Sequence, residues 1–501
     1  MTGLDNGHSR PGGPAASPSR AWPRVDPEQS RGECELLGLP QIPCSETRRR
    51  VYSTPSELVE RYSRPVPRYT SYPTAPHFHA GVDSATYASW LRHLPREATL
   101  SLYLHIPYCD RLCWFCGCHT KHTLRYEPVA DYLKALYAEI DWVSQQLEGR
   151  GRVTAIHLGG GSPTLLTPED LLALKVKLGS AFTLSPNAEI SIEIDPNDLD
   201  EGRYDAMAAF GLTRASIGVQ DFDPRVQKAI NRQQSFGQTR AVVEAMRARG
   251  VGSVNLDLIY GLPYQTMTGL GRTISQALDL APDRVALFGY AHVPWMKPHQ
   301  KMIPEEALPN QHARYEQAVM AGQMLVEAGL EPIGFDHFAR PEDSLAVAAR
   351  LGRLRRNFQG YTDDAADALI GLGASAIGQL PQGYVQNITA TGEYSKAALA
   401  GAGATAKGFA LSATDKLRAH AIATLLCRFR LEARDLAGFG AAGKALMGEA
   451  AAIALTDADG LTEMRDGVFS VTERGRPFVR AIAARFDTYL GAGAARHSAA
   501  V

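Results

Sequence analysis

Four cysteines lie within residues 109–118 (CDRLCWFCGC). Cys109, Cys113 and Cys116 follow the spacing C-x-x-x-C-x-x-C, which places three thiolates on one short loop. Thiolates bind zinc and iron–sulfur clusters, and structural zinc sites usually use two separated cysteine pairs. The sequence has no second pair, so the spacing favours a cluster over zinc or unligated thiols. Three protein ligands leave one metal of a four-metal cluster open, which predicts chemistry at this loop.

The composition is that of a globular protein. The chain has 501 residues, 45% of them hydrophobic, and a net charge of -1, which gives no indication of a nucleic-acid partner. Seven cysteines, four of them in one motif, do not form a disulfide framework and favour a reducing, cytoplasmic site. We expect residues 1–55 to be a disordered extension and expect no membrane span.

Six β-rich runs alternate with amphipathic helical patterns such as residues 129–147 and 236–249. This alternation predicts an α/β fold with a parallel sheet. Six units are fewer than the eight of a closed barrel, so we expect an open, partial (β/α)6 barrel with its site at the carboxyl-terminal rim. The predicted strands are residues 99–107, 153–161, 189–196, 214–222, 253–263 and 284–294.

The remaining segments suggest the domain organisation. We expect residues 56–98 to contact the site, residues 99–340 to form the barrel and residues 341–501 to form a mainly helical domain. Residues 333–338 are a candidate edge strand, and the Gly/Ala-rich residues 368–380 could approach a ligand closely. Near the carboxyl terminus, two short strands around Asp466-Gly467 with flanking helices resemble a winged helix. Without a basic face, this module is predicted to pack or act as a lid rather than bind DNA.

Polar residues lie within or just after the predicted strands. Glu193 and Asp257 are carboxylates inside apolar strands, and Gln220 and Arg232 lie at or just past the end of the fourth strand. A buried carboxylate is costly unless it is paired or binds a ligand. Structural ion pairs could explain each residue separately, but strand ends converge on one rim, so the four together favour a binding site.

Two further features lie near the predicted rim. Residues 159–161 are three consecutive glycines, which allow close approach of a ligand to backbone N–H groups but also suit a tight turn. Tyr103 and His105 lie two residues apart on the first strand and therefore face the same side. They could face the cluster or be satisfied core residues, and for His105 both interpretations stay open.

Taken in order, these motifs resemble the oxygen-independent coproporphyrinogen III oxidases of the radical S-adenosylmethionine (SAM) superfamily. The similarity covers about residue 56 to the carboxyl terminus. C-x-x-x-C-x-x-C alone indicates only the superfamily, whereas the ordered set is specific. The set is PRYTSYPTAPHF (67–78), HIPYC (105–109) with the trailing Gly117-Cys118, GGGSPT (159–164), SIEIDP (191–196), GVQDF (218–222), Asn231-Arg232, DLIYGLP (257–263), FGYAHVPW (288–295) and RNFQGY (356–361).

The resemblance implies a cofactor set and a reaction. Cys109, Cys113 and Cys116 would hold three irons of a [4Fe-4S] cluster, and the fourth iron would chelate SAM. In the family, a 5′-deoxyadenosyl radical removes hydrogen from propionate β-carbons of coproporphyrinogen III, and loss of CO2 and an electron gives the two vinyl groups of protoporphyrinogen IX.

The resemblance also implies two SAM molecules. The positions matching contacts of the first are Tyr103, Gly160, Glu193 and Ile377. Those matching contacts of the second are Phe115, Gly161, Ser162, Gln220, Arg232, Asp257 and Ala291. Ser162 stands where the family usually has Thr, a departure that keeps the hydroxyl.

The main alternative is a related family of heme chaperones, which bind and transfer heme. Cys118, the pair Gln220 and Arg232, and the segment 67–78 resemble the oxidases instead. A SAM-dependent heme-degrading methyltransferase is a third option, expected to differ in the carboxyl-terminal region. We also expect a low-potential electron donor such as flavodoxin or ferredoxin and a monomer. The arginines Arg68, Arg355 and Arg356 are candidate partners for the substrate propionates.

Overall fold

A twelve-stranded sheet is the central element of the computed structural model, which describes residues 53–197 and 199–491. We number its strands β1–β12 in chain order. The first six run parallel, each paired with the next along the chain. They are β1 Thr99–Ile106, β2 Arg152–Gly160, β3 Leu184–Ile194, β4 Arg214–Gln220, β5 Ser253–Tyr260 and β6 Arg284–Gly289. All six predicted strands are present, and the predicted α/β partial barrel is confirmed.

Short strands extend the sheet at both edges. At one edge, β7 (Glu331–Ile333) and β8 (His337–Ala339) form an antiparallel pair beside β6. At the other, β9 pairs parallel with β1 and continues antiparallel into the rest. These strands are β9 Ala368–Leu372, β10 Ile377–Leu380, β11 Gly383–Asn387 and β12 Thr405–Ala410. The sheet therefore passes residue 340, where the sequence predicted the barrel to end, because β9 completes the hydrogen bonding of β1.

Fourteen α-helices lie in the described part of the chain. Several begin at a side-chain cap, as at Thr54, Ser235 and Ser412, where capping boxes satisfy the first free N–H groups. The helices are α1 Pro55–Tyr62, α2 Ser84–Arg92, α3 Glu127–Leu147, α4 Pro168–Ala181, α5 Glu201–Phe210, α6 Pro224–Ala229, α7 Phe236–Ala248, α8 Met267–Asp279, α9 Gln311–Glu327, α10 Ser344–Arg350, α11 Thr391–Leu399, α12 Ala413–Arg428, α13 Gly440–Leu455 and α14 Val479–Ala483.

The two faces of the parallel strands differ in chemistry. Leu102 and Leu104 of β1 are completely buried in the main hydrophobic core, on the face that the helices cover. Ser101 on β1 and Asp257 on β5 have the opposite parity and line a polar cavity of about 180 Å³ inside the barrel. The alternation thus gives a dry outer face and a polar inner face.

The carboxyl-terminal module has the expected winged-helix character. Helices α12 and α13 pack with a three-stranded sheet of Arg430–Glu432, Val468–Val471 and Thr462–Arg465. Asp466 and Gly467 have φ of 50° and 73°, as the turn of its hairpin requires. The hydrophobic core of this module includes amino-terminal residues, among them Leu58, Val59, Tyr69 and Tyr72.

Two further predictions from the sequence concern the amino-terminal extension and membrane-spanning helices. The predicted extension 1–55 lies outside the described residues, apart from its last three positions. Among the helices that the structure describes, none is long and apolar enough to cross a membrane.

Candidate active site

The cysteine loop begins directly after β1, at the carboxyl-terminal rim of the barrel. Cys113 is buried, Cys109 and Cys116 are half-buried, and Cys118 is exposed. The thiols of Cys109, Cys113 and Cys116 are close enough that charge on one raises the pKa of the others. The structure thus brings together the three predicted ligands.

Side chains from two other segments hold this loop through its backbone. Asn231 donates to the carbonyl oxygen of Leu112 at 2.8 Å, and the N–H of Trp114 donates to the carbonyl of Ile230 at 2.9 Å. Residues 297–300 supply three more contacts. These are Lys297 Nζ to Cys118 O at 2.8 Å, His299 Nε2 to Cys116 O at 2.8 Å and Gln300 Nε2 to Phe115 O at 3.0 Å.

The surroundings of the sulfur atoms suit thiolate ligands. The N–H of Cys118 lies 3.3 Å from Cys116 Sγ, and Arg232 Nη1 lies 3.6 Å from Cys113 Sγ. Hydrogen bonding from Cys118 lowers the pKa of Cys116 to about 7, whereas burial raises the pKa of Cys109 to about 12. Donors to sulfur stabilise thiolates and tune iron–sulfur clusters, so the donor set fits a cluster. Among the described residues, no three His, Cys, Asp or Glu side chains form a single-ion site.

Glu193 on β3 lies against the glycine run after β2. It accepts a hydrogen bond from the N–H of Gly160 at 2.9 Å, and its Oε1 lies 3.3 Å from His157 Nε2. Burial acts to raise the Glu193 pKa, but these hydrogen bonds and the nearby histidines outweigh it, and the net pKa is lowered. Gly160 has φ of +109°, and a Cβ there would lie 2.4 Å from the His105 ring. The site therefore has an anionic group beside a backbone that only glycine fits.

Arg232 is buried in the segment that follows α6, and every nitrogen of its guanidinium is engaged. Nη1 lies 3.1 Å from Asp195 Oδ2, Nη2 donates to Gly218 O at 2.8 Å, and Nε donates to Gln234 Oε1 at 3.0 Å. Gln220, at the end of β4, has φ of 67°. Arg232 thus links the cysteine loop to two strand ends. Asp195 was not among the site residues predicted from the sequence, although it lies in the SIEIDP motif.

Asp257 lies deeper, inside the polar cavity. It accepts from Asn255 Nδ2 at 2.8 Å and from Ser216 Oγ at 3.3 Å. Burial raises its pKa to about 6. The carboxyl group is therefore suited to accept hydrogen bonds from a polar ligand above it.

The other predicted residues lie around the same rim. The Tyr103 hydroxyl is 2.9 Å from His105 Nδ1, and His105 Nε2 is 2.9 Å from the carbonyl oxygen of His119. His105 therefore positions the end of the cysteine loop. Phe115 packs in an apolar cluster with Ile230, and Ile377 lies at the start of β10 beside Gly371. The N–H of Gly161 donates to the carbonyl of Ile106, and the N–H of Ser162 donates to the carbonyl of Tyr108. The carbonyl of Ala291 accepts a hydrogen bond from Gln300 Nε2.

Comparisons with known proteins place this site in a class. Residues 103–277 match the family model described as the Radical SAM superfamily. An oxygen-independent coproporphyrinogen III oxidase of Bradyrhizobium diazoefficiens is 48% identical over 437 residues, which cover 87% of this chain and 97% of that protein. One of Paracoccus denitrificans is 47% identical, with 87% and 96% covered. A solved structure of coproporphyrinogen III oxidase from Escherichia coli has a TM-score of 0.81 at 35% identity, with 87% of this chain and 99% of that chain covered.

The fold and the cysteine loop thus define a radical SAM enzyme. The predicted cofactors, a [4Fe-4S] cluster and SAM, are confirmed for this class. Because the identity extends over nearly the whole length of the relatives, the chain belongs to the oxygen-independent coproporphyrinogen III oxidases. The heme-chaperone alternative is not favoured.

Proposed function

We propose that this chain decarboxylates two propionate side chains of coproporphyrinogen III without oxygen and leaves two vinyl groups, giving protoporphyrinogen IX. The observation that carries this proposal is the near full-length identity to enzymes of that name. The cysteine loop at the barrel rim supports it, because a loop held by its backbone leaves the three thiol groups available for a cluster.

The cofactors and the protein chain have different roles in the proposed reaction. When bound, the cluster and SAM would supply a 5′-deoxyadenosyl radical able to remove a hydrogen atom from the propionate β-carbon, and loss of CO2 and of one electron to an acceptor would leave the vinyl group. The thiolates of Cys109, Cys113 and Cys116 would hold three irons. Such a radical reacts with an unactivated carbon, which no ionisable side chain could deprotonate, so the chain must position the substrate.

Two groups of side chains would bind the two SAM molecules. Tyr103, Gly160, Glu193 and Ile377 lie around the cluster loop, and we assign them to the cluster-bound SAM. The ionised Glu193 suits the ammonium group or ribose hydroxyls. We assign Phe115, Gly161, Ser162, Gln220, Arg232, Asp257 and Ala291 to the second SAM.

In this structure Arg232 forms an ion pair with Asp195. Binding of a SAM carboxylate would therefore place a second anion near the same guanidinium. Arg232 could bind both, since a guanidinium carries five N–H donors.

The remaining assignments concern the cell and the domains. We assign the protein to the cytoplasm as a monomer that receives electrons from a low-potential flavodoxin or ferredoxin. The carboxyl-terminal module and residues 56–98, which share one hydrophobic core, would pack beside the barrel as a lid.

The test is an anaerobic assay with coproporphyrinogen III deuterated at the propionate β-carbons, SAM, a strong reductant and an electron acceptor. We expect CO2, protoporphyrinogen IX and deuterium in 5′-deoxyadenosine. Cys116→Ala should lose the cluster absorption and the activity. Cys427→Ala, a buried thiol remote in sequence from the motif, is the matched control and should keep both.

One result would overturn the proposal in favour of the chaperone. It is SAM cleavage without deuterium transfer or vinyl product, together with tight heme binding.

A further inference from the structure

A second cavity lies on the outer face of β5 and β6, outside the barrel interior. Its volume is about 480 Å³, and helix α9 and the carboxyl-terminal module form its walls. Tyr260 and Gly289 line it, whereas Asp257 and Phe288 line the interior cavity. Because neighbouring side chains on a strand alternate between faces, the sheet separates the two spaces.

Four arginines line this cavity, which we call the arginine cavity: Arg68, Arg314, Arg476 and Arg480. Arg314, on α9, has no carboxylate within 4.0 Å in the described part of the chain, and its Nε is buried without a hydrogen-bond partner. A Cβ added to Gly261 would lie 3.2 Å from its Nη1, so its head group rests against a glycine backbone. A guanidinium held this way has donors to offer a ligand.

The neighbouring charges do not compensate Arg314. Arg68 Nη2 donates to the Gly289 carbonyl at 2.7 Å, and Arg480 Nη2 donates to the Val66 carbonyl at 2.7 Å. Burial and the other arginines lower the pKa of both. Asp336, the buried acid of this cavity, lies 2.7 Å from His337 Nδ1 and 3.7 Å from Arg356 Nη2, and its charge acts to raise the pKa of Arg68 and Arg480, but it forms no ion pair with Arg314.

At the rim, Glu473 lies 2.9 Å from Arg476. Among the described side chains that line the cavity there are four arginines and two acidic residues, and Arg314 forms no ion pair with either acid. Buried charge is costly unless an opposite charge pairs with it.

Aromatic side chains form a second part of the wall. Tyr315, Phe335, Phe338 and Phe429 line the cavity beside the arginines. Arginine forks bind carboxylates with paired hydrogen bonds, and aromatic rings favour a flat apolar body. We propose that the arginine cavity binds carboxylate groups of a tetrapyrrole, at a place separate from the cysteine loop. This assignment rests on the proposed function, because coproporphyrinogen III and its product both carry propionates on flat, apolar pyrrole rings joined in a macrocycle.

The test uses the whole chain without its cluster and the stable, fluorescent coproporphyrin III as probe. We expect Arg314→Gln to weaken its dissociation constant at least about tenfold, and Arg314→Lys to recover part of the loss. Val319 is 47% exposed at the rim, so Val319→Glu should fold normally and weaken binding by charge repulsion. The control is Arg272→Gln on α8, an exposed arginine outside the cavity, which should bind like wild type.

Hydrogen exchange locates the bound probe. Coproporphyrin should slow exchange in peptides from α9 in wild type but not in Arg314→Gln. Unchanged affinity and exchange in both Arg314→Gln and Val319→Glu would overturn the proposal. So would inorganic phosphate that binds in an Arg314-dependent way while coproporphyrin does not, because the site would then serve a small anion.

The result also separates this inference from the proposed function. Formation of the vinyl product, together with tetrapyrrole binding that does not depend on Arg314, would contradict only the cavity assignment. Arg314-dependent binding without any vinyl product would remove the reaction alone.

Discussion

Glu139 on α3 offers a sharp test of how burial controls an ionisable group near the site. It is 3% exposed and accepts hydrogen bonds from the N–H of Gly373 at 2.6 Å, Asn387 Nδ2 at 2.5 Å and the Tyr394 hydroxyl at 2.6 Å. These contacts hold the turn between β9 and β10, which leads to Ile377. Burial nevertheless raises the Glu139 pKa from 4.5 to about 7.

The size of the effect follows from this shift. Between pH 4.5 and 7 the folded chain holds a proton on Glu139 that the unfolded chain has lost. The stabilisation that this group contributes to the folded state is therefore fully present below pH 4.5 and is lost as the pH rises through about 7. A shift of this size, at about 1.4 kcal/mol per unit, corresponds to about 3 kcal/mol of unfolding free energy.

Glu139→Gln keeps the size of the side chain but cannot titrate. We expect the wild-type unfolding free energy, minus that of the variant, to fall by about 3 kcal/mol from pH 4.5 to pH 7.5. Urea unfolding followed by far-ultraviolet circular dichroism measures both proteins at each pH. Glu244→Gln, an exposed position on α7, should show a change below about 0.5 kcal/mol. A constant difference for Glu139→Gln would refute the reasoning, because the three donors would then keep the carboxylate ionised.

Three further outcomes are expected around the cysteine loop. Gly160→Ala should weaken SAM binding by about tenfold or more in equilibrium dialysis, since its φ of +109° disfavours a side chain; Gly179→Ala, with open space around it, is the control. Asn231→Ala should remove a loop hydrogen bond worth about 1 kcal/mol and speed bleaching of the cluster absorption in air. Cys118→Ala should keep the iron content that Cys113→Ala loses.

Each of these has a contradicting result. Wild-type SAM affinity in Gly160→Ala would show that the glycine run does not approach the ligand. A bleaching rate unchanged by Asn231→Ala would show that the loop does not depend on that contact. Iron lost in Cys118→Ala but kept in Cys113→Ala would reverse the ligand assignment.

The central strands could be predicted from sequence because their signal is local. In β1, Leu100, Leu102 and Leu104 alternate with polar residues, and one face is completely buried. Strand β9, which lies between β10 and β1, carries no such pattern, because all five of its residues are buried. Its partner β1 lies more than 260 residues earlier in the chain, and the residues of neither segment indicate that the two strands pair.

The candidate site likewise contains residues that the sequence predicts and residues that it does not. The cysteine spacing and the carboxylate Glu193 stand out in sequence, because their residue types are unusual where they occur. His299 and Gln300, which hold the loop, lie in a segment without periodicity, and their partners are backbone carbonyls that no residue type reveals. The pair of Arg232 with Asp195 was missed because it joins the end of β3 to the segment after α6, 37 residues later in the chain.

The contacts of the cysteine loop also bear on repair. Asn231, Lys297, His299 and Gln300 bind carbonyl oxygens of the loop and none of its sulfur atoms. The path of the loop is therefore set before any metal arrives. We therefore expect that a cluster destroyed by oxygen is rebuilt from iron, sulfide and reduced thiols without unfolding the protein.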